Sequence, residues 1–184
     1  MENDSNKKDI EIIKKFKQGD ESAFDEIVKK YRERIYRLAL SITHNHLDAD
    51  DLSQEIFVKI YFSINKFDEK STFYTWFYRV SVNHILKYLK KRDHFDKNND
   101  FEYMKNKTID FKTPEVEIEN KEFASLLERA LDSLPPIQRI IVVLSKLEGY
   151  SHKEIASILG CAVPTVRWNL FVSLRKLKKI LQNN

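Results

Sequence analysis

Apolar residues recur at spacings of three and four through most of this chain, and only 3 glycines and 4 prolines interrupt them. A 3.6-residue period places such residues on one helix face, and with few breakers the helices run long. No segment shows the two-residue alternation of a half-buried strand. The expected fold is all-α.

A length of 184 residues suits one medium domain or two small ones, and the placement of charge favours two. Residues 1–92 carry a net +3, residues 93–122 a net −4 and residues 123–184 a net +5. The acidic middle includes DHFDKNNDFEYMKNKTIDFK, rich in Asn, Asp and Lys and without helical period. It predicts a flexible linker over 93–112 joining an N-terminal helical bundle, 1–92, to a C-terminal domain, 113–184. The single Cys161 has no intramolecular disulfide partner, and neither an apolar signal segment nor a membrane-length run is present. A cytoplasmic protein without membrane insertion is expected. Its net charge of +4 suits a polyanionic partner.

In the N-terminal part, Asp20 is placed to cap a helix from about Glu21 to Thr43, whose apolar stripe includes Phe24, Ile27, Tyr31, Ile35 and Leu38. Asp48 is the expected cap of a second helix reaching about Ile64. NKFDEKST breaks the pattern, and five aromatic residues then fill the six positions from Phe73 to Tyr78. Phe73, Trp76, Phe77 and Val80 share one stripe and are expected in the core. Tyr74 and Tyr78 point elsewhere, beside Arg79, Asn83 and Lys87. Rings that stack on bases, an amide for base edges and cations for phosphates suit single-stranded nucleic acid. Two-sided packing in a bundle fits the same pattern, and periodicity does not choose between them.

Beyond the linker, Thr113-Pro114-Glu115 reads as a helix start and the helix runs to about Ser133. Leu134-Pro135-Pro136 ends it and begins another, which stops at Glu148-Gly149. Ser151 and Glu154 form a capping box, Gly160 supplies a turn, and Pro164 lies near the start of a last helix. This is the pattern of a helix-turn-helix. Val163, Val166, Leu170, Leu174, Leu177 and Leu181 form its inner stripe, leaving Pro164, Thr165, Trp168, Phe171, Val172, Arg175 and Lys176 outward.

Three segments in this order resemble the extracytoplasmic-function sigma factors, the small two-domain initiation subunits of bacterial RNA polymerase. DADDLSQEIFVKIY is similar to the family's polymerase-docking segment, FDEKSTFYTWFYRVSVNHILKYLKKR to its minus-ten reading and strand-opening segment, and LPPIQRIIVVLSKLEGYSHKEIASILGCAVPTVR to its minus-thirty-five domain. The resemblance implies sigma region 2 in the N-terminal bundle and sigma region 4 in the helix-turn-helix. It implies core RNA polymerase, promoter DNA and an anti-sigma factor as partners. Asp51, Leu52, Gln54, Glu55 and Phe57 would dock polymerase. Phe67, Asp68, Lys70, Ser71, Tyr74, Tyr78, Arg79, Asn83 and Lys87 would read and melt the minus-ten element. Ser151, Pro164, Thr165, Arg167, Trp168, Asn169, Phe171 and Arg175 would meet the minus-thirty-five element.

The chain departs from the family pattern in two places. The reading loop, commonly Phe-Arg-Gly-Asp-Ser, here has Asp68, Glu69 and Lys70 after Phe67. The recognition helix has Arg167-Trp168-Asn169 where Arg-Ser-Arg is common, so fewer cations would face the duplex. His44, His46, Asp48, Asp50, Asp51 and Glu55 cluster in sequence, but the acids open a helix, where its dipole favours them, and no ligand spacing is present. No metal or other cofactor is expected, and no nucleophile, phosphate loop or paired catalytic carboxylates point to an enzyme. A dimeric helix-turn-helix regulator acting without polymerase is the alternative. It leaves the N-terminal domain unexplained.

Overall fold

The computed structural model describes residues 2–96 and 121–182, all of whose regular elements are helical. They are α1 (Glu2–Lys17), α2 (Ala23–Thr43), α3 (His46–Ser63) with a 3-10 turn (Ile64–Lys66), α4 (Phe73–Asp96), α5 (Lys121–Asp132), α6 (Pro136–Val142) continued by a π-helical turn (Val143–Leu147), α7 (His152–Leu159) and α8 (Val163–Gln182). Helix α4 continues through Asp96, into the segment expected as linker. The rest of that segment, and the helix start at Thr113, lie outside the described residues.

Sequence periodicity missed α1 because its apolar residues are thinly spread among charges. Ile13 is buried, and Phe16 packs its ring against Phe24 at 5.7 Å and Tyr61 at 5.1 Å. The carboxylate of Asp9 is also buried, accepting from Tyr31 Oη at 2.6 Å and Lys30 Nζ at 2.5 Å. A buried carboxylate is tolerated when its oxygens are bonded in this way.

One expected cap is corrected and one helix start is shifted. Asp20 accepts from Ser22 Oγ at 2.5 Å and from the backbone N–H groups of Ser22 and Ala23, and α2 starts at Ala23 rather than Glu21. Asn45, not Asp48, caps α3: its Oδ1 accepts from the backbone N–H of Leu47 at 2.8 Å and of Asp48 at 3.3 Å. The short α2–α3 turn makes this possible, since His44 takes left-handed backbone with φ 54° and leaves Asn45 extended.

The aromatic run of α4 is largely core. Phe77 stacks on Tyr31 with centroids 4.4 Å apart, and Phe73 lies 5.7 Å from Phe77 and 6.0 Å from Tyr31. In the C-terminal part, Pro136 opens α6 where its missing N–H costs nothing. Both capping-box bonds between Ser151 and Glu154 form, and Gly160 makes the turn with φ 65°. Val166, Leu170 and Leu177 of α8 are buried, as the stripe predicts.

The two halves pack together, α7 on α4 and α5 and α6 on α2. Arg139 from α6 sits at that junction, 6% exposed. Its Nη1 donates to the Ser41 carbonyl at 2.7 Å, and its Nε and Nη2 to the carbonyls of Leu131, Asp132 and Leu134 at 2.9, 2.8 and 3.1 Å. Nη1 also meets His44 Nε2. His44 Nδ1 lies 2.8 Å from Asp132 Oδ1.

Candidate nucleic-acid and partner-binding faces

Helix α3 offers an outer face in which Asp51, Gln54 and Glu55 are exposed. Gln54 Nε2 donates to Asp50 Oδ2 at 3.0 Å, and Glu55 Oε2 meets His84 Nε2 of α4 at 2.9 Å. Leu52, named with them as a docking residue, is buried with Ile56 in the core, on the side of α3 that packs on α2. Phe57 is half-buried, its ring 6.0 Å from Phe77. Sequence reading overlooked Leu47, Val58 and Phe62, which are 76%, 57% and 75% exposed. Their signal was phase: spacings of 11 and 4 put all three on the Asp51 side rather than the Leu52 side.

The loop after α3 is corrected at its first residue. Phe67 is 3% exposed and packs its ring 5.5 Å from Phe73 and 5.6 Å from Trp76, while its carbonyl accepts from Lys17 Nζ at 2.8 Å. A phenyl ring beside an aromatic pocket gains more from burial than from water. Asp68, Glu69 and Lys70 remain exposed and Ser71 is half-buried. The Lys70 ammonium, 2.6 Å from Asp68, holds that carboxyl below its usual range. Glu69 takes φ 60°, a conformation a glycine adopts without strain.

On α4, Asn83 and Lys87 are exposed as expected. Tyr78 is not: it is fully buried, and only Tyr74 of the pair is partly open. The covering group is Tyr150 of the C-terminal half, stacked on Tyr74 at 4.5 Å and edge-on to Tyr78 at 5.2 Å. Burial, then the nearby Glu148 carboxylate, pushes the Tyr78 phenol far above its usual range, and burial pushes that of Tyr74 up to about 12. Arg79 is exposed, yet its guanidinium is engaged, donating to Ser157 O at 2.8 and 3.0 Å and to Ser157 Oγ at 2.9 Å.

In the helix-turn-helix, Pro164, Thr165, Arg167, Trp168, Phe171 and Arg175 are all exposed on α8, and Ser151 caps α7 from the surface. Trp168 is 66% and Phe171 59% exposed, with rings 6.1 Å apart. Neither packs on a neighbouring helix. Asn169 is half-buried and its Nδ2 donates to the Thr165 carbonyl at 2.9 Å, so one amide hydrogen is already committed within the helix. Among the described residues no single helix is long and apolar enough to cross a membrane.

Residues 27–95 match Sigma-70 region 2, and residues 124–177 match Sigma-70, region 4. The RNA polymerase sigma-H factor of Pseudomonas aeruginosa is 30% identical over 181 residues, which cover 95% of this chain and 94% of that protein. The ECF RNA polymerase sigma-E factor of Haemophilus influenzae is 32% identical over 181 residues, 95% of each chain. This chain belongs to the ECF RNA polymerase sigma factors. The sigma factor is therefore a transcription initiation factor, with region 2 falling on α2 to α4 and region 4 on α5 to α8. Helix α1 precedes both. Two solved structures share its fold. The sigma factor RpoE of Bartonella quintana, in complex with the anti-sigma factor NepR, has a TM-score of 0.68 at 20% identity, covering 86% of this chain and 96% of that one. CnrH, in complex with the cytosolic domain of CnrY, has a TM-score of 0.69 at 22% identity, covering 94% and 96%.

Proposed function

We propose that this sigma factor docks core RNA polymerase through Asp51, Gln54 and Glu55 on α3, with Phe57 at the margin. Asp68, Lys70, Ser71, Tyr74, Arg79, Asn83 and Lys87 then read and open the minus-ten element. Pro164, Thr165, Arg167, Trp168, Asn169, Phe171 and Arg175 of α8 lie against the minus-thirty-five duplex, with Ser151 at the start of α7. An anti-sigma factor holds the protein inactive in the cell, as complexes of RpoE with NepR and of CnrH with CnrY lead one to expect. The protein carries out no bond chemistry itself and works in the cytoplasm beside polymerase.

The observation that supports this reading most is the exposed polar row on α3, set directly over buried Leu52 and Ile56. A helix that keeps acids and an amide outward between the apolar side chains of Leu47, Val58 and Phe62 has a surface suited to a basic partner with an apolar margin. Asp51→Lys combined with Gln54→Ala is expected to weaken capture of core polymerase about tenfold or more with an unchanged circular dichroism spectrum. Undiminished capture would remove this face from the docking site.

A further inference from the structure

The contact between α4 and the C-terminal half has the chemistry of a bound nucleotide. The Tyr150 ring lies on Tyr74 at 4.5 Å with 27° between planes, as a base stacks on an aromatic side chain. Two residues earlier, the Glu148 carboxylate faces Arg34 Nε at 3.5 Å and Arg37 Nη2 at 3.8 Å, where a phosphate would be received. Arg34 also donates to Tyr74 Oη at 3.1 Å and lies over its ring. Arg79, five residues further along α4, is likewise engaged by the C-terminal half, through Ser157. We infer that Glu148 and Tyr150 mask, in cis, a single-stranded-DNA site formed by Arg34, Arg37, Tyr74 and Arg79. This rests on the assignment of α4 to strand binding and adds to it two residues of α2 and a means of keeping the free protein closed.

Two features fit a mask that comes off. The Glu148 contacts, including Tyr78 Oη at 3.3 Å, are longer than the 2.7–2.9 Å usual for charge-assisted bonds, though its side chain is only 4% exposed. The Tyr150 hydroxyl is buried without a hydrogen-bond partner among the described residues, a penalty that opening relieves. A strand of DNA supplies both a ring for Tyr74 and a phosphate for Arg34 and Arg37. It competes for each group the mask uses.

The test measures binding of a fluorescein-labelled oligothymidylate of about 12 nucleotides to the full chain by anisotropy. Glu148→Gln is expected to tighten Kd about tenfold, because a site masked in most molecules binds in proportion to its open fraction. Adding Arg34→Ala should abolish that gain. No tightening, or a gain that survives Arg34→Ala, overturns the inference. The unaltered chain gives a second reading: saturating oligonucleotide should speed hydrogen exchange across His152–Leu159, and unchanged exchange would count equally against the mask. Capture of core polymerase by the same proteins separates the two ideas. Polymerase retained without the oligonucleotide effects defeats the mask alone, whereas loss of capture by the unaltered chain defeats the polymerase reading.

Discussion

Arg139→Met is expected to lower stability by about 3 kcal/mol and the melting temperature by about 10 °C. The guanidinium ties the carbonyls of Leu131, Asp132 and Leu134, where α5 ends, to that of Ser41 near the end of α2. Helix ends leave carbonyls without partners and carry partial negative charge, so one cation serves two of them. Two effects oppose each other. Burial holds the Arg139 pKa below its usual value, so removing the charge refunds part of a desolvation cost. Met leaves the carbonyls of Ser41, Asp132 and Leu134 without the guanidinium, while that of Leu131 keeps the Leu134 N–H at 3.0 Å, and each buried orphan costs about 1–3 kcal/mol, so the second effect wins. Thermal unfolding followed by circular dichroism measures it. A melting temperature within a degree or two of the parent would mean that water or a neighbour takes over the bonds.

Phe67→Ala is expected to cost about 3–5 kcal/mol in the same assay, as large-to-small changes in an aromatic core do. Its ring fills a pocket lined by Phe73 and Trp76. The family resemblance places this residue among those reading DNA, and on that view the substitution impairs promoter opening while leaving stability alone. The geometry gives the opposite order: lost stability first, with weaker opening as its consequence. An unchanged melting temperature together with weaker permanganate reactivity of promoter thymines would return Phe67 to the reading surface.

These two residues show where sequence reading succeeds and where it stops. The stripe through Phe24, Ile27, Tyr31, Ile35 and Leu38 was legible because each helix buries a face with a fixed period, and the Ser151–Glu154 cap was legible because its partners lie three residues apart. The exposed row Asp51, Gln54 and Glu55 followed from the same period. For Tyr78 periodicity left an outward face and two-sided packing both open; α4 buries two faces, and the second is covered by Tyr150 from the other half of the molecule. Arg139 with Ser41, Glu148 with Arg34 and Arg37, and Arg79 with Ser157 were invisible for a related reason. They join residues 78 to 114 positions apart, and no local spacing marks such pairs. Helix α1 escaped because its few apolar residues are held in place by a buried ion, Asp9 with Lys30, that composition alone reads as surface.

Run-off transcription tests the central claim most directly. Core RNA polymerase from the host, this protein and a pool of promoter fragments are incubated, and the transcripts are sequenced from their starts. The account predicts discrete start sites that appear only when the protein is present, each preceded by shared elements at minus ten and minus thirty-five, and lost with the Asp51→Lys and Gln54→Ala double variant. Start sites that are the same with and without the protein, in a reaction where it binds duplex DNA as a dimer and leaves polymerase alone, would contradict it.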